Sequence, residues 1–278
     1  MSNRRKLHNA MVPLADLEEV NRAQLADIFD PGLHQRVVLG YLSAGHVALE
    51  FVDSLGGVLL HDGLRRRHIS ATISVRSGPR VAEARSQMCD TFLDHPVHQE
   101  CQWLLTLDDD MVFEEDLVDR LLAYADVREV PIVGGFCVAG NPTTRQYSTV
   151  YRLGNDDQGW LIVDPVPLDE LPETGLVKCG ATGAACTLIH RRVLLEMRQA
   201  YRLLTDGRPN PYPWYQEGLV TAAGAPLGED VAFCRKAGLL GIPTHVAMDV
   251  EVGHRKWMVM TKETLRAYEG TTRKVVSA

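Results

Sequence analysis

Three consecutive carboxylates, Asp108-Asp109-Asp110, close the apolar run Trp103-Leu104-Leu105-Thr106-Leu107. A run of that length and composition reads as a buried strand. Carboxylates crowded at its end repel one another, so the sequence calls for positive charge among them. A hard divalent cation, Mn²⁺ or Mg²⁺, meets that need, because both prefer oxygen ligands and share their shell with substrate phosphates. Helical spacing follows, with Leu117, Val118, Leu121, Leu122 and Ala125 on one face and Glu114, Glu115 and Asp116 expected in the first turn. Acids suit a helix N-terminus. The triplet therefore falls at the C-terminal edge of a strand, where open α/β sheets bind their ligands. A solvated acidic loop is the alternative reading, and the strand before it and the helix behind it favour a site.

Other residues are of types that do chemistry. Arg85 lies on the apolar stripe Val81, Ala84, Met88 and Phe92 of the helix expected after Pro79. A buried guanidinium needs a partner, either an acidic side chain or a phosphate, whose geometry Arg matches. The alternative is an Arg snorkelling from the edge of the stripe. Glu229-Asp230 opens a helix after Gly228, where the pair either favours the helix dipole or performs acid–base work. His254, in Val252-Gly253-His254, follows a buried strand, where a surface or satisfied core histidine is the ordinary reading. Arg255 and Lys256 beside it either face an anion or form a solvated basic pair. The segment Gly180-Ala181-Thr182-Gly183-Ala184-Ala185 lacks the Lys of a phosphate loop and does not match Gly-x-Gly-x-x-Gly. Its small residues either let a ligand approach the backbone, as at Gly183, or pack two elements tightly.

These residues need elements to position them. Val37–Leu42 reads as a strand, roughly 46–60 as a helix, Ile69–Val75 as a strand, 80–93 as a helix, and Pro131–Val138 as a further strand beyond the carboxylates. Such alternation predicts a mostly parallel sheet with crossover helices. The second half differs. Tyr147–Arg152 and Trp160–Val163 read as short strands around an Asn155–Gly159 turn, Thr187–Ile189 leads into a helix near 191–204, and Ile242–Val250 reads as a strand. Residues 205–228, rich in Pro and Gly and carrying Trp214 and Tyr215, form a long loop of the kind that is functional or mobile. Leu14, Leu17, Leu25 and Ile28 suggest a peripheral helix within 1–35, stopped by Asp30-Pro31-Gly32, and 261–278 reads as a tail.

Composition sets the class. At 278 residues the chain fits one large α/β domain or two small ones and can bury a core, and 45% hydrophobic with 23% charged residues is ordinary for a soluble globular protein. A net charge of −7 argues against nucleic acid as a partner. No run approaches the roughly 20 apolar residues of a membrane span, and the basic start Met1–Lys6 lacks the apolar core of a signal peptide. Six scattered cysteines without a Cys-x-x-Cys pair predict free thiols and a cytoplasmic protein.

Taken in order, the strand ending in three aspartates, the small-residue segment, Gly-Glu-Asp opening a helix and Val-Gly-His resemble GT-A fold glycosyltransferases. They are similar in particular to the family 2-like enzymes of bacteria and bacteriophages. The resemblance spans roughly residues 36–256 and implies a GT-A (Rossmann-like) domain over 36–260, with 36–140 as the nucleotide-binding half and 141–260 as a smaller acceptor-binding half. It implies metal-dependent transfer of a sugar from a UDP- or GDP-linked donor to a hydroxyl on a protein or small glycan. In that family an Asp-x-Asp motif meets ribose and metal. Asp110 then maps to the metal and Asp108 to the ribose, sugar or metal, with Asp109 able to replace either. Asp230 maps to the base, with Glu229 beside it, His254 to a third metal ligand, and Arg85 to the nucleotide site. The first strand and its loop, at Leu42-Ser43, would line the nucleoside pocket, and Trp214 and Tyr215 would meet the acceptor or form a lid. A nucleotidyltransferase acting on a sugar phosphate is disfavoured by the lack of a Gly-rich basic loop after the first strand. A non-catalytic carbohydrate- or Ca²⁺-binding module is the other rival, although EF-hand spacing is absent.

Overall fold

The computed structural model describes residues 35–65, 68–141, 145–221, 224 and 226–256. The helix expected around Leu14–Ile28 and the tail at 261–278 lie outside the described residues. The chain divides into two units, Met1–His34 and Gln35–Ala278. In chain order the elements of the second are β1 (Val37–Ser43), α1 (Leu49–Arg65), β2 (Ile69–Arg76), α2 (Val81–Asp94), β3 (Trp103–Asp108), β4 (Met111–Val112), α3 (Leu117–Tyr124), β5 (Ile132–Asn141), β6 (Arg145–Ser148), β7 (Val150–Asn155), β8 (Leu161–Pro165), β9 (Leu176–Cys179), β10 (Ala181–Thr182), β11 (Cys186–His190), α4 (Arg191–Ala200), α5 (Glu229–Leu239) and β12 (Thr244–His254).

The main sheet runs β2-β1-β3-β11-β5-β12-β4, with β6 paired to β5 and β9 to β12. Strands β2, β1 and β3 are mutually parallel, β11 is antiparallel to both its neighbours, and β5 and β12 are again parallel. The five long strands β1, β2, β3, β5 and β12 therefore point one way, with a reversed strand at the centre. The fold is α/β, a central mostly parallel sheet flanked by helices. Strand β3 carries the buried run WLLTL because both of its faces are covered, the condition under which a strand need not alternate. One face packs on α2 and α5 through Leu104, Met88, Phe92 and Phe233, and the other on α1 and α3 through Leu105, Phe51 and Leu121.

Several expectations shift. Glu114, Glu115 and Asp116 precede α3 rather than filling its first turn, and Asp116 sits at the N-cap without a capping bond. The chain first makes β4, which pairs with the end of β12. The last expected strand runs on to His254 because β12 carries a three-residue irregularity. Ala247 pairs with Gly135 while Glu251 pairs with the next residue, Phe136. The displaced residues are tied down at Asp249, whose carboxylate accepts from Tyr124 Oη at 2.6 Å and from Gly175 N at 3.1 Å. A separate three-stranded antiparallel sheet, β10-β7-β8, forms from the second half. Among the described residues no helix is long and apolar enough to cross a membrane.

Candidate active site

A cleft of about 880 Å³ opens where the C-terminal ends of β3 and β12 meet the start of α5 and the second sheet. Its lining includes Arg85, Asp108, Gly183, Glu229, Asp230 and His254, residues spread over most of the described sequence. Parallel strands deliver Asp108. Its register partner on β1 is Leu42, and its backbone N–H is held by Ala185 O at 3.0 Å.

Arg85 supplies the positive charge that the carboxylates require. It is 4% exposed. One terminal nitrogen donates to both oxygens of Asp108 at 2.8 and 3.1 Å, and Nε donates to Glu229 at 3.2 Å. The other terminal nitrogen reaches Ala184 O at 3.3 Å, and the guanidinium stands 5.8 Å from the Tyr215 ring centroid. Burial opposes its charge, but Asp108, Tyr215, Glu229 and Asp230 together raise its pKa above the usual value. Arg85 thus joins α2, β3 and α5 as a clamp between two carboxylates of the cleft.

The other end of the triplet has its own cations. His254 Nε2 lies 3.0 Å from Asp110 Oδ2, and Lys256 Nζ lies 3.7 Å from the same oxygen. The β12–β4 pairing sets this approach by aligning His254 with Met111. The bond to Asp110, then one to Cys137, lifts His254 to about 9 against the cost of burial. Burial raises the Asp110 pKa, but the hydrogen bond and charge of His254, the charge of Lys256 and a backbone hydrogen bond together outweigh it and leave Asp110 below the ordinary carboxylate value. Arg255 pairs with Glu50 at 2.9 Å.

Among the described residues no three His, Cys, Asp or Glu side chains gather closely enough to hold a metal ion. The donor chemistry nevertheless fits a cation that shares its shell with phosphate. Asp110 and His254 form an adjacent oxygen–nitrogen pair, and Asp109 Oδ2 is buried without a partner. Mg²⁺ is commonly held by one or two carboxylates plus substrate oxygens.

Asp230 is the second residue of α5 and borders the cleft. Burial, then the neighbouring Glu229, pushes its carboxyl up to about 6, against a backbone bond from Val231 N at 2.7 Å and the attraction of Arg85. Gly228, not the acidic pair, occupies the N-cap. Gly183 faces this carboxylate: a Cβ added there would stand 3.7 Å from Asp230 Oδ2 and 3.4 Å from Thr149. Gly180 differs, since its Cβ would lie 2.6 Å from the backbone N of Leu153. Gly180→Ala is therefore expected to destabilise the fold by about 1–3 kcal/mol through overpacking. Gly183→Ala is expected to melt like the parent while narrowing the cleft. Thermal denaturation of both variants checks the contrast, and equal melting temperatures would remove it.

The expected acceptor contacts of Trp214 and Tyr215 need correction, because both side chains are 0% exposed. Trp214 Nε1 donates to Leu194 O at 2.9 Å, and Tyr215 stacks on Phe233 with centroids 4.7 Å apart. Their rings belong to the core rather than to a ligand surface, whereas Thr221, Pro226, Leu227 and Gly228 of the same 205–228 segment line the cleft. Leu42 is likewise buried, and Ser43 accepts from Gly45 N at 3.1 Å; neither lines the cleft. The cleft's aromatic wall comes instead from Tyr147 and Tyr151. Their alternation with Thr149 was the available signal, since side chains two residues apart along an extended stretch share a face.

The sequence matches no family model and no curated protein. Among solved structures it is similar to A197 from STIV, with 18% identity and a TM-score of 0.48 over 81% of this chain and 97% of that one. It is also similar to GalNAc-T7 solved with UDP, GalNAc and Mn²⁺, with 13% identity and a TM-score of 0.48 over 86% of this chain. The match spans 48% of the length of that second protein. Likenesses at this level assign no function.

Proposed function

We propose that this chain is a GT-A glycosyltransferase that moves a sugar from a nucleoside diphosphate sugar, UDP- or GDP-linked, to an acceptor hydroxyl. One observation carries the reading: Asp230, a carboxylate raised to about 6, shares a single cleft with the Arg85–Asp108 pair and His254. A base of that strength is ionised at neutral pH yet takes a proton more readily than an ordinary carboxylate. The acceptor oxygen would bond to the anomeric carbon as the bond to the diphosphate oxygen breaks, and the hydroxyl proton would pass to Asp230. Arg85 holds Asp108 and Glu229 in fixed positions, so the donor would meet preorganised groups. Asp108 and Asp109 would face the ribose or sugar. Asp110 and His254 would hold Mn²⁺ or Mg²⁺, which when bound neutralises charge on the leaving diphosphate. A protein or small glycan would supply the hydroxyl.

Thermal shifts with Mn²⁺ plus UDP, GDP or ATP, each tested separately, check this reading. A diphosphate-selective rise in melting temperature is expected. A rise with triphosphate alone would indicate nucleotidyl transfer, and a rise with Ca²⁺ or free sugar alone a binding module. Asp110→Ala is expected to abolish the Mn²⁺-dependent part of nucleotide binding and to lower turnover by roughly 10²–10³-fold. Unchanged Mn²⁺–UDP and Mn²⁺–GDP affinities by calorimetry would remove Asp110 from the site.

A further inference from the structure

Tyr147, Thr149 and Tyr151 follow one another at every second position across β6 and β7, and all three line the cleft that holds Asp230. Thr149 is fixed by its own hydroxyl, which donates to Cys137 O at 3.0 Å. Its methyl group and Asp230 Oδ2 bound the space that Gly183 leaves open, at 3.4 and 3.7 Å from a Cβ built there. Tyr151 is held between β10 and β8 by register pairing with Ala181 and Pro165. Burial, then the charge of Asp230, then Tyr147 keeps its phenol protonated. Asp164 and Pro165 of β8 continue the same wall. Tyr147 and Tyr151 are the only Phe, Trp or Tyr among the described residues of this lining.

We infer that Tyr147, Thr149 and Tyr151 form a subsite for a pyranose ring, so that the acceptor is a carbohydrate hydroxyl rather than a peptide side chain. The inference rests on the transferase reading above. An aromatic face carries negative charge density and attracts the polarised C–H groups on one side of a sugar ring. The phenolic hydroxyls and the Asp164 carboxylate supply donors and acceptors for the ring's own hydroxyls. A ring seated on this wall has a hydroxyl within the space shared by Gly183 and Asp230, which is where a base must meet it.

The test uses the full chain with whichever nucleotide sugar releases its nucleoside diphosphate. Methyl glycosides of glucose, galactose and mannose are compared as acceptors with a Ser/Thr-containing peptide, and products are read by mass spectrometry. Transfer to at least one methyl pyranoside is expected. Tyr147→Ala is expected to raise the KM for that pyranoside about tenfold, with a smaller change in kcat. Tyr147→Phe is expected to restore most of the loss, because it keeps the ring and the fold. Transfer to the peptide alone overturns the subsite, as does nucleotide release with no pyranoside product, or an unchanged KM in folded Tyr147→Ala. No nucleotide release from any nucleotide sugar removes the transferase reading and the subsite together.

Discussion

Asp230→Asn is expected to lower turnover with acceptor by roughly 10²–10⁴-fold, the range that a positioned base contributes, while donor affinity stays near normal. The substitution preserves shape and keeps an oxygen for the bond from Val231 N, so the start of α5 is undisturbed. It removes basicity alone. The parent rate is expected to fall as pH drops through about 6, where Asp230 gains its proton, and the variant is expected to lack this limb. Stability moves the other way. The folded pKa of about 6 exceeds the ordinary 3.8, so the favourable contribution is complete below pH 4 and is lost as pH rises through 6. Asn carries no such cost, so the variant is expected to be more stable than the parent above pH 6, with the difference vanishing below pH 4. The shift corresponds to on the order of 2 kcal/mol, discounted because the cleft leaves one edge of Asp230 in water. Turnover profiles and denaturant melts at pH 4 and pH 7.5 read both effects. Near-normal turnover with the acidic limb intact would take the base role from Asp230. Glu229→Gln and the anomeric configuration of the product would then decide between Glu229 and a retaining reaction.

The second large effect is on the scaffold. Arg85→Met is expected to cost about 3–5 kcal/mol, because removing the guanidinium leaves Asp108 and Glu229 facing each other partly buried and without a counter-charge. For a domain of this size the melting temperature would fall by roughly 10 °C. A guanidinium reserved for donor phosphates would leave the melting temperature nearly unchanged. Arg85→Lys is expected to fall between, since a single ammonium cannot reproduce the fork that reaches both carboxylates. Adding Asp108→Asn and Glu229→Gln to Arg85→Met should restore part of the loss, because the stranded charges go with them. A fall of less than about 2 °C in Arg85→Met, or no recovery in the triple variant, would show that the clamp contributes little to the fold.

Much of the architecture was legible in the residues. The uninterrupted apolar run of β3, the 3.6-residue stripes of α2 and α3 and the Gly-Glu-Asp start of α5 are local patterns, and local patterns survive folding because each element needs one buried face. The demand for positive charge beside Asp108-Asp109-Asp110 was equally local, since repulsion among neighbouring carboxylates exists before any fold. What answers that demand was not legible. Arg85 reaches Asp108 across 23 positions, and His254 reaches Asp110 across 144. The second contact exists because β12 carries an irregularity at Ala247–Glu251 and then pairs with β4. No periodicity announced the reversed strand β11 at the centre of the sheet, because its buried run reads alike in either direction. Trp214 and Tyr215 show the limit most clearly. A Pro- and Gly-rich segment with aromatic residues suggests a ligand-facing loop, yet the apolar area of those rings is better spent beneath α5 and α4. The types of residue that do chemistry and the elements that carry them were written in the sequence. Which charges meet, and which rings face the cleft, was decided by long-range packing, since burial and register depend on partners that no local pattern contains.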